Sequence, residues 1–230
     1  MERVNYQKLI SVSALIALTG FILSGPVGFL FVSLTKPQPS WDSPAVFARN
    51  YHIVQDLPYY LGFLLISGML MLTAAHYLSY KSENNLTRFC PLLSVCLVTI
   101  FSALIFFNYV CQIMFIRNLA LNYKQEYDAA IEMFSMANPL SFCWSNEMFG
   151  YGILGTATWL MAGYYKSKNN FIRLTLVING IVSLSSIILT IADVRWVLTT
   201  GGYIGYFTWN ILMIVMMVLI YQHSKKMSVS

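Results

Sequence analysis

The run CWSNEMFGYG, residues 143–152, sets one carboxylate, Glu147, among residues suited to hydrocarbon. An acid in a membrane-spanning helix costs about 2.5–3.5 kcal/mol at the helix centre and less near the interface. It therefore requires a cation, a proton or water, and it is by default a functional-site hypothesis. Arg195 is the expected partner, with Asp193 sharing it and Arg117 in reserve. Asn108 and Gln112 stand four residues apart on the preceding apolar segment, so they share a helix face at the depth of Glu147. Asn146 and Asn210 extend the same ring, and Tyr109, Trp144, Trp196 and Trp209 are available as its walls. Glu147, Arg195, Asp193, Asn108, Gln112 and Asn210 are thus expected to form a ligand-binding cluster open to the outer face. The competing reading is a buried ion pair that fixes helix register and binds nothing.

A second pattern leads inward from that cluster. Asn179, Ser183, Ser186, Thr190 and Asp193 follow one another at spacings of four, three, four and three. At about 100° per residue they lie within roughly 80° of one another on a helix. Lipid does not accept such a face, so it points into the bundle. There it serves either as interhelical glue, worth about 0.6 kcal/mol per bond on average, or as the lining of a polar path.

Other chemistries lack their residues. No nucleotide-binding loop, catalytic triad or pair of adjacent aspartates occurs, and the four cysteines form no C-x-x-C pair. The three histidines, His52, His76 and His223, fall on opposite sides of the expected topology, which argues against a zinc site. No catalytic residue, metal or cofactor is therefore expected; an enzyme would have to run on Glu147 or Asp193 as acid–base groups. Cys111 and Cys143, near the outer ends of their segments, are either a disulfide or two buried thiols.

The elements that must position these residues are membrane helices. Hydrophobic residues make up 57% of the 230 and charged residues 10%, against about 25% charged in a soluble domain. Mean hydropathy is +0.63. Six apolar stretches, 9–34, 59–80, 90–116, 140–165, 172–192 and 203–221, each suit a spanning helix, which needs roughly 20 residues. None alternates apolar and polar residues as a barrel strand does. The fold class is all-α, a single polytopic six-helix domain over 1–230. Nine of the 14 Lys and Arg residues fall at the N-terminus, in the loops after the second and fourth spans, and in the C-terminal tail. This excess predicts that both termini are cytoplasmic.

Two further features concern the connections. The phrase YKSENNLTR at 80–88 returns as YKSKNNFIR at 165–173, with six of nine positions identical. Either two cytoplasmic hairpins have converged on the same turn chemistry, or a two-helix unit is duplicated, helices 2–3 answering helices 4–5 as parallel repeats. The outer loops, 35–58 and 117–139, each predict a short interfacial helix, the first starting at Ser43-Pro44. These are either a lid over a cavity or packing filler. In the first span, Ser13, Ala17, Gly20, Ser24 and Gly28 form a small-residue stripe for close helix approach, and Gly25-Pro26 predicts a kink.

Six spans, the Pro-rich first outer loop, GYGILGTATWLMAGYY in the fourth span and Trp209-Asn210 in the sixth together resemble uncharacterised bacterial six-helix integral membrane proteins. That resemblance implies the architecture and a bacterial cytoplasmic (inner) membrane, and no activity. The sequence leads to a membrane protein that binds or transports a small or amphipathic ligand. The alternative is a non-enzymatic sensor or protein-interaction module whose polar cluster is structural. Membrane lipids, a small-molecule or lipid ligand, and a protein partner or second copy are the expected partners; nucleic acid is not.

Overall fold

Three long helices begin or break where the sequence supplies the chemistry. The computed structural model of the chain describes residues 5–80 and 85–229. Helix α1, Tyr6–Ser24, is capped by Asn5, whose side chain accepts from Lys8 N at 3.1 Å. Gly25-Pro26 then interrupts the axis, and α2, Pro26–Thr35, continues with Pro at its first turn. A proline amide cannot donate to the preceding turn, and this makes the expected break. Two shorter elements follow, α3 at Pro44–Asn50 and a 3-10 turn at Ile53–Asp56. Ser43 caps α3 by accepting from Val46 N, as the Ser-Pro start predicts.

Helix α4, Leu57–Ser79, returns to the other end of the bundle, and α5 spans Asn85–Val110. Its axis continues through a π-helical turn, Cys111–Ile116, into α6, Arg117–Leu121. The outer connection holds α7, Asp128–Phe134, preceded by a 3-10 turn at Gln125–Tyr127. Helix α8, Phe142–Met161, is capped by Ser141 and ends in a 3-10 turn, Ala162–Tyr165. Helices α9, Asn170–Ala192, and α10, Thr200–Val229, complete the chain, joined by a 3-10 turn at Trp196–Leu198.

The long helices form a ring in sequence order. Each of α1, α4, α5, α8, α9 and α10 packs on its two chain neighbours, and α10 closes the ring on α1. The tightest seam joins α1 to α4. A Cβ on Gly20 would meet the backbone of Leu65, and one on Gly68 the backbone of Ala17. Small residues permit that approach, as the α1 stripe predicts. Inside the ring lies a core that includes Phe101, Ile105, Leu154, Met213, Met216 and Met217. Outside, large apolar side chains face the surroundings: Phe29 is 73% exposed, Ile191 75% and Phe207 67%. An apolar exterior of this kind belongs against lipid.

Five helices are long and apolar enough to cross a membrane, covering Tyr6–Thr35, Ile53–Ser79, Phe89–Leu121, Asn170–Ala192 and Thr200–Ser228. The chain is therefore a multi-pass membrane protein with all-helical regular structure among the described residues. The fourth expected span corresponds to α8, which has the length and stands in the ring between α5 and α9. Its opening turns carry Ser145, Asn146 and Glu147, which lower its hydropathy below that of the other five.

The repeated phrase occupies one structural slot twice. Helix α5 begins at Asn85 and α9 at Asn170, the same position in each copy. In the second copy Asn169 caps α9, accepting from Phe171 N and Ile172 N at 3.0 and 3.2 Å. The matching turn residues of the first copy, 81–84, lie outside the described residues.

Candidate functional site

Glu147 stands two turns into α8 and faces the interior of the ring. Its Oε1 accepts from the Tyr109 hydroxyl at 3.5 Å, and its Oε2 is fully buried with no hydrogen-bond partner. The Tyr109 and Tyr151 hydroxyls are 3.1 Å apart. Gly62 of α4 makes room for this arrangement, because a Cβ there would meet the Tyr109 ring. Tyr59 packs on Tyr109 with ring centroids 5.4 Å apart, and Tyr151 packs on Trp209 at 5.1 Å. Trp209 in turn touches Phe21 at 5.5 Å and stacks with Tyr206 at 6.2 Å. Tyr59, Tyr151 and Tyr206 all lie within Coulombic reach of the Glu147 carboxylate. Four helices, α4, α5, α8 and α10, thus surround one acid with aromatic side chains.

The expected Glu147–Arg195 ion pair does not form. Helix α9 ends at Ala192, so Asp193 and Arg195 belong to the turn that leaves the ring, and both side chains are exposed. Asp193 accepts from the backbone N of Arg195 at 2.9 Å, which shapes that turn. Arg117 is committed elsewhere. It pairs with buried Asp56 at 3.1 Å and donates to the Tyr60 hydroxyl at 3.1 Å. Asp56 also accepts from the Tyr51 hydroxyl at 2.6 Å. Burial, and next the Asp56 hydrogen bond, push the Tyr51 phenol above its usual range. Among the described residues, the carboxylate paired with an arginine is therefore Asp56, in the 3-10 turn before α4.

The amides have backbone duties. Asn108 is fully buried beside Glu147, but its Nδ2 donates to Cys143 O and its Oδ1 accepts from Asn146 Nδ2, both at 2.8 Å. Gln112, in the π-helical turn, donates to Phe134 O at 2.9 Å and accepts from Met136 N at 3.0 Å. Asn210 donates to Tyr206 O within its own helix at 2.8 Å and borders Gly25 at the α1 break. Trp144 and Trp196, expected as walls, lie on the α8–α9 side. Their indoles donate to Val194 O at 3.2 Å and Thr190 Oγ1 at 2.9 Å. Of the expected set, the structure brings Glu147, Asn108 and Tyr109 together, with Trp209 and Asn210 on the facing helix. Tyr59, Tyr151 and Tyr206 were not anticipated. Tyr151 could have been, since it lies one helical turn below Glu147.

The polar stripe packs on glycine. Asn179 donates to Thr158 Oγ1 at 2.8 Å, and a Cβ on Gly155 would overlap the Ser183 side chain. Gly152 and Gly180 accommodate Ile187 and Trp159 in the same seam. Ser186 is half-buried and Thr190 is held by the Trp196 indole. The inner part of the stripe therefore works as a close α8–α9 contact.

The two connections 35–58 and 117–139 form a cap. Phe47 of α3, Ile131 of α7, and Ile116 and Ala120 near α6 make a second small core with Cys111 and Cys143, which are free thiols in contact with it. This layer covers the ends of α5 and α8 nearest Glu147. At the opposite end, His76 and Tyr165 are buried together. Gln7 donates to the Tyr164 hydroxyl at 2.9 Å, and Lys168 Nζ stands 3.3 Å from the Tyr164 ring centroid.

Compared with protein-family models, curated proteins and solved structures, the chain matches none. The likeness to bacterial six-helix membrane proteins therefore carries no family assignment.

Proposed function

We propose that this chain is a six-span protein of a bacterial cytoplasmic membrane, both termini inside, that binds a small or amphipathic ligand at Glu147 from its outer face. The observation that carries the reading is a carboxylate in the ring interior with one buried oxygen unpartnered and, among the described residues, no lysine or arginine paired to it. A charge left in that state is costly unless something else meets it. The α8 helix is the sixth span on this reading. Its low hydropathy comes from the polar residues of its opening turns, Glu147 at the site among them, and its place between α5 and α9 supports crossing alongside them. The charge asymmetry of the loops supports the orientation, and the capping layer of α3 and α7 then lies outside.

Binding is favoured over transport by the α9 stripe. A path inward along it would need water at Ser183 and Asn179, where Gly155 and Thr158 of α8 pack instead. The common start of α5 and α9 within the repeated phrase supports descent of the two hairpins from one duplicated unit.

Native mass spectrometry of the protein released gently from its own membrane tests this. A bound lipid or metabolite mass is expected on the wild type and on Arg195→Ala, and its loss on Glu147→Gln. A clean apo mass for a folded wild type, or a ligand retained by E147Q, overturns the reading.

A further inference from the structure

Resting on that reading of Glu147, we infer that the ligand is an organic cation, an amine or quaternary ammonium group held by the carboxylate among aromatic faces. The chemistry of the surroundings selects the class. Tyr59, Tyr109, Tyr151 and Trp209 form a connected chain of rings, each packed on the next or hydrogen-bonded to it, and all gathered around one acid. A cation over an aromatic face gains about 0.5–1 kcal/mol when exposed and about 2 or more when desolvated. The Glu147 charge adds attraction in the same place, so positive charge is met twice and negative charge is repelled.

Other ligand classes fit less well. A hard metal ion asks for six or more oxygen ligands in the case of calcium, or near-octahedral oxygen geometry in the case of magnesium. Here one carboxylate stands with phenols, and among the described residues no group of three His, Cys, Asp or Glu is placed to hold a metal. An anion finds no donor of positive charge, because Arg117 is paired with Asp56 and Arg195 is in the exposed turn. A purely apolar ligand would leave the buried Oε2 unmet.

Among the described residues, no lysine or arginine pairs with Glu147. Tyr59, Tyr151 and Trp209 pack on the core yet keep part of their surface exposed, as do Glu147 and Asn210, while Oε2 itself is enclosed. Tyr206, at the end of the ring series, is 49% exposed.

Free amines and lipid headgroups share this chemistry, and the test separates them. The purified full-length chain in a non-ionic maltoside detergent is titrated with choline, with its neutral isostere 3,3-dimethylbutan-1-ol, and with lysophosphatidylcholine. Heat of binding and thermal unfolding are read together. Choline is expected to bind and raise the unfolding temperature while the isostere does neither. Glu147→Gln should weaken choline at least tenfold, and Tyr206→Leu, at the exposed end of the ring series, several-fold. Tighter binding of lysophosphatidylcholine than choline, with the same dependence on Glu147, identifies a lipid headgroup as the source. Equal binding of choline and the isostere, binding undiminished in folded E147Q, or no response to any cation overturns the inference. A neutral or anionic mass that native mass spectrometry finds bound through Glu147 would remove the cation assignment and leave the site. Absence of any bound mass and of any titration response would remove both.

Discussion

His76 and Tyr165 join α4 to the end of α8 through a 2.6 Å contact between the imidazole Nε2 and the phenol oxygen. The other ring nitrogen, Nδ1, lies 2.8 Å from Leu72 O. A carbonyl can only accept, so Nδ1 carries the hydrogen, and in the neutral ring Nε2 accepts from the Tyr165 hydroxyl. Both side chains are buried, His76 at 2% and Tyr165 at 0% exposure. Tyr165 opens the second copy of the repeated phrase. Its counterpart in the first copy, Tyr80, is half-buried and only flanks the Tyr164 ring at 6.1 Å.

The two tyrosines should therefore respond differently to loss of the hydroxyl. Tyr165→Phe leaves Nε2 of a buried histidine unsatisfied and should destabilise by about 1–2 kcal/mol, the range where the soluble penalty and the smaller membrane value overlap. Tyr80→Phe should change stability by less than about 0.5 kcal/mol. Thermal unfolding of both variants in detergent checks this; equal effects would mean the His76 contact carries no stability.

Gln112 clamps the cap to the bundle from both ends of its amide, through Phe134 O and Met136 N. Gln112→Leu removes both bonds and leaves two backbone groups without partners, a loss of about 1–3 kcal/mol. Hydrogen exchange in 134–137 should accelerate about tenfold or more, while amides in the α10 core keep their protection. Unchanged exchange in 134–137 would show the cap held by its apolar contacts alone.

Glycine at the α1–α4 seam is required by space and not by backbone angle, since no described glycine has positive φ. Gly20→Ala drives a methyl into the Leu65 backbone and should cost about 1–3 kcal/mol or more, because backbone cannot swing aside. Gly163→Ala, with nothing within 4 Å of its new methyl, should stay within about 0.5 kcal/mol of wild type. Unfolding temperatures of the purified variants measure both, and a tolerant Gly20 would mean the seam is looser than drawn.

Much of this architecture was legible one helix at a time. Apolar length marked the spans, Gly25-Pro26 marked the break, Ser43-Pro44 marked α3, and the α1 stripe marked the seam with α4. Each of these depends on local backbone chemistry or on the 3.6-residue period, both of which a sequence carries directly. The place of Glu147 in the opening turns of its helix follows from the same period.

What the period does not carry is how one helix is rotated against the next, or where a helix stops within a turn of its apolar end. Arg195 shares the depth of Glu147, but α9 ends three residues earlier and the chain turns outward at Asp193. Arg117 also lies near the outer end, but Asp56 enters from the 3-10 turn before α4 and takes it. The facing partners of Glu147 are instead tyrosines and a tryptophan, brought in by α4, α5 and α10 as the ring closes. The sequence alone thus determined that an acid stands near one end of a helix of a membrane bundle. Only the tertiary structure decided that rings, and no described lysine or arginine, surround it, because closure of the ring sets which helix faces meet.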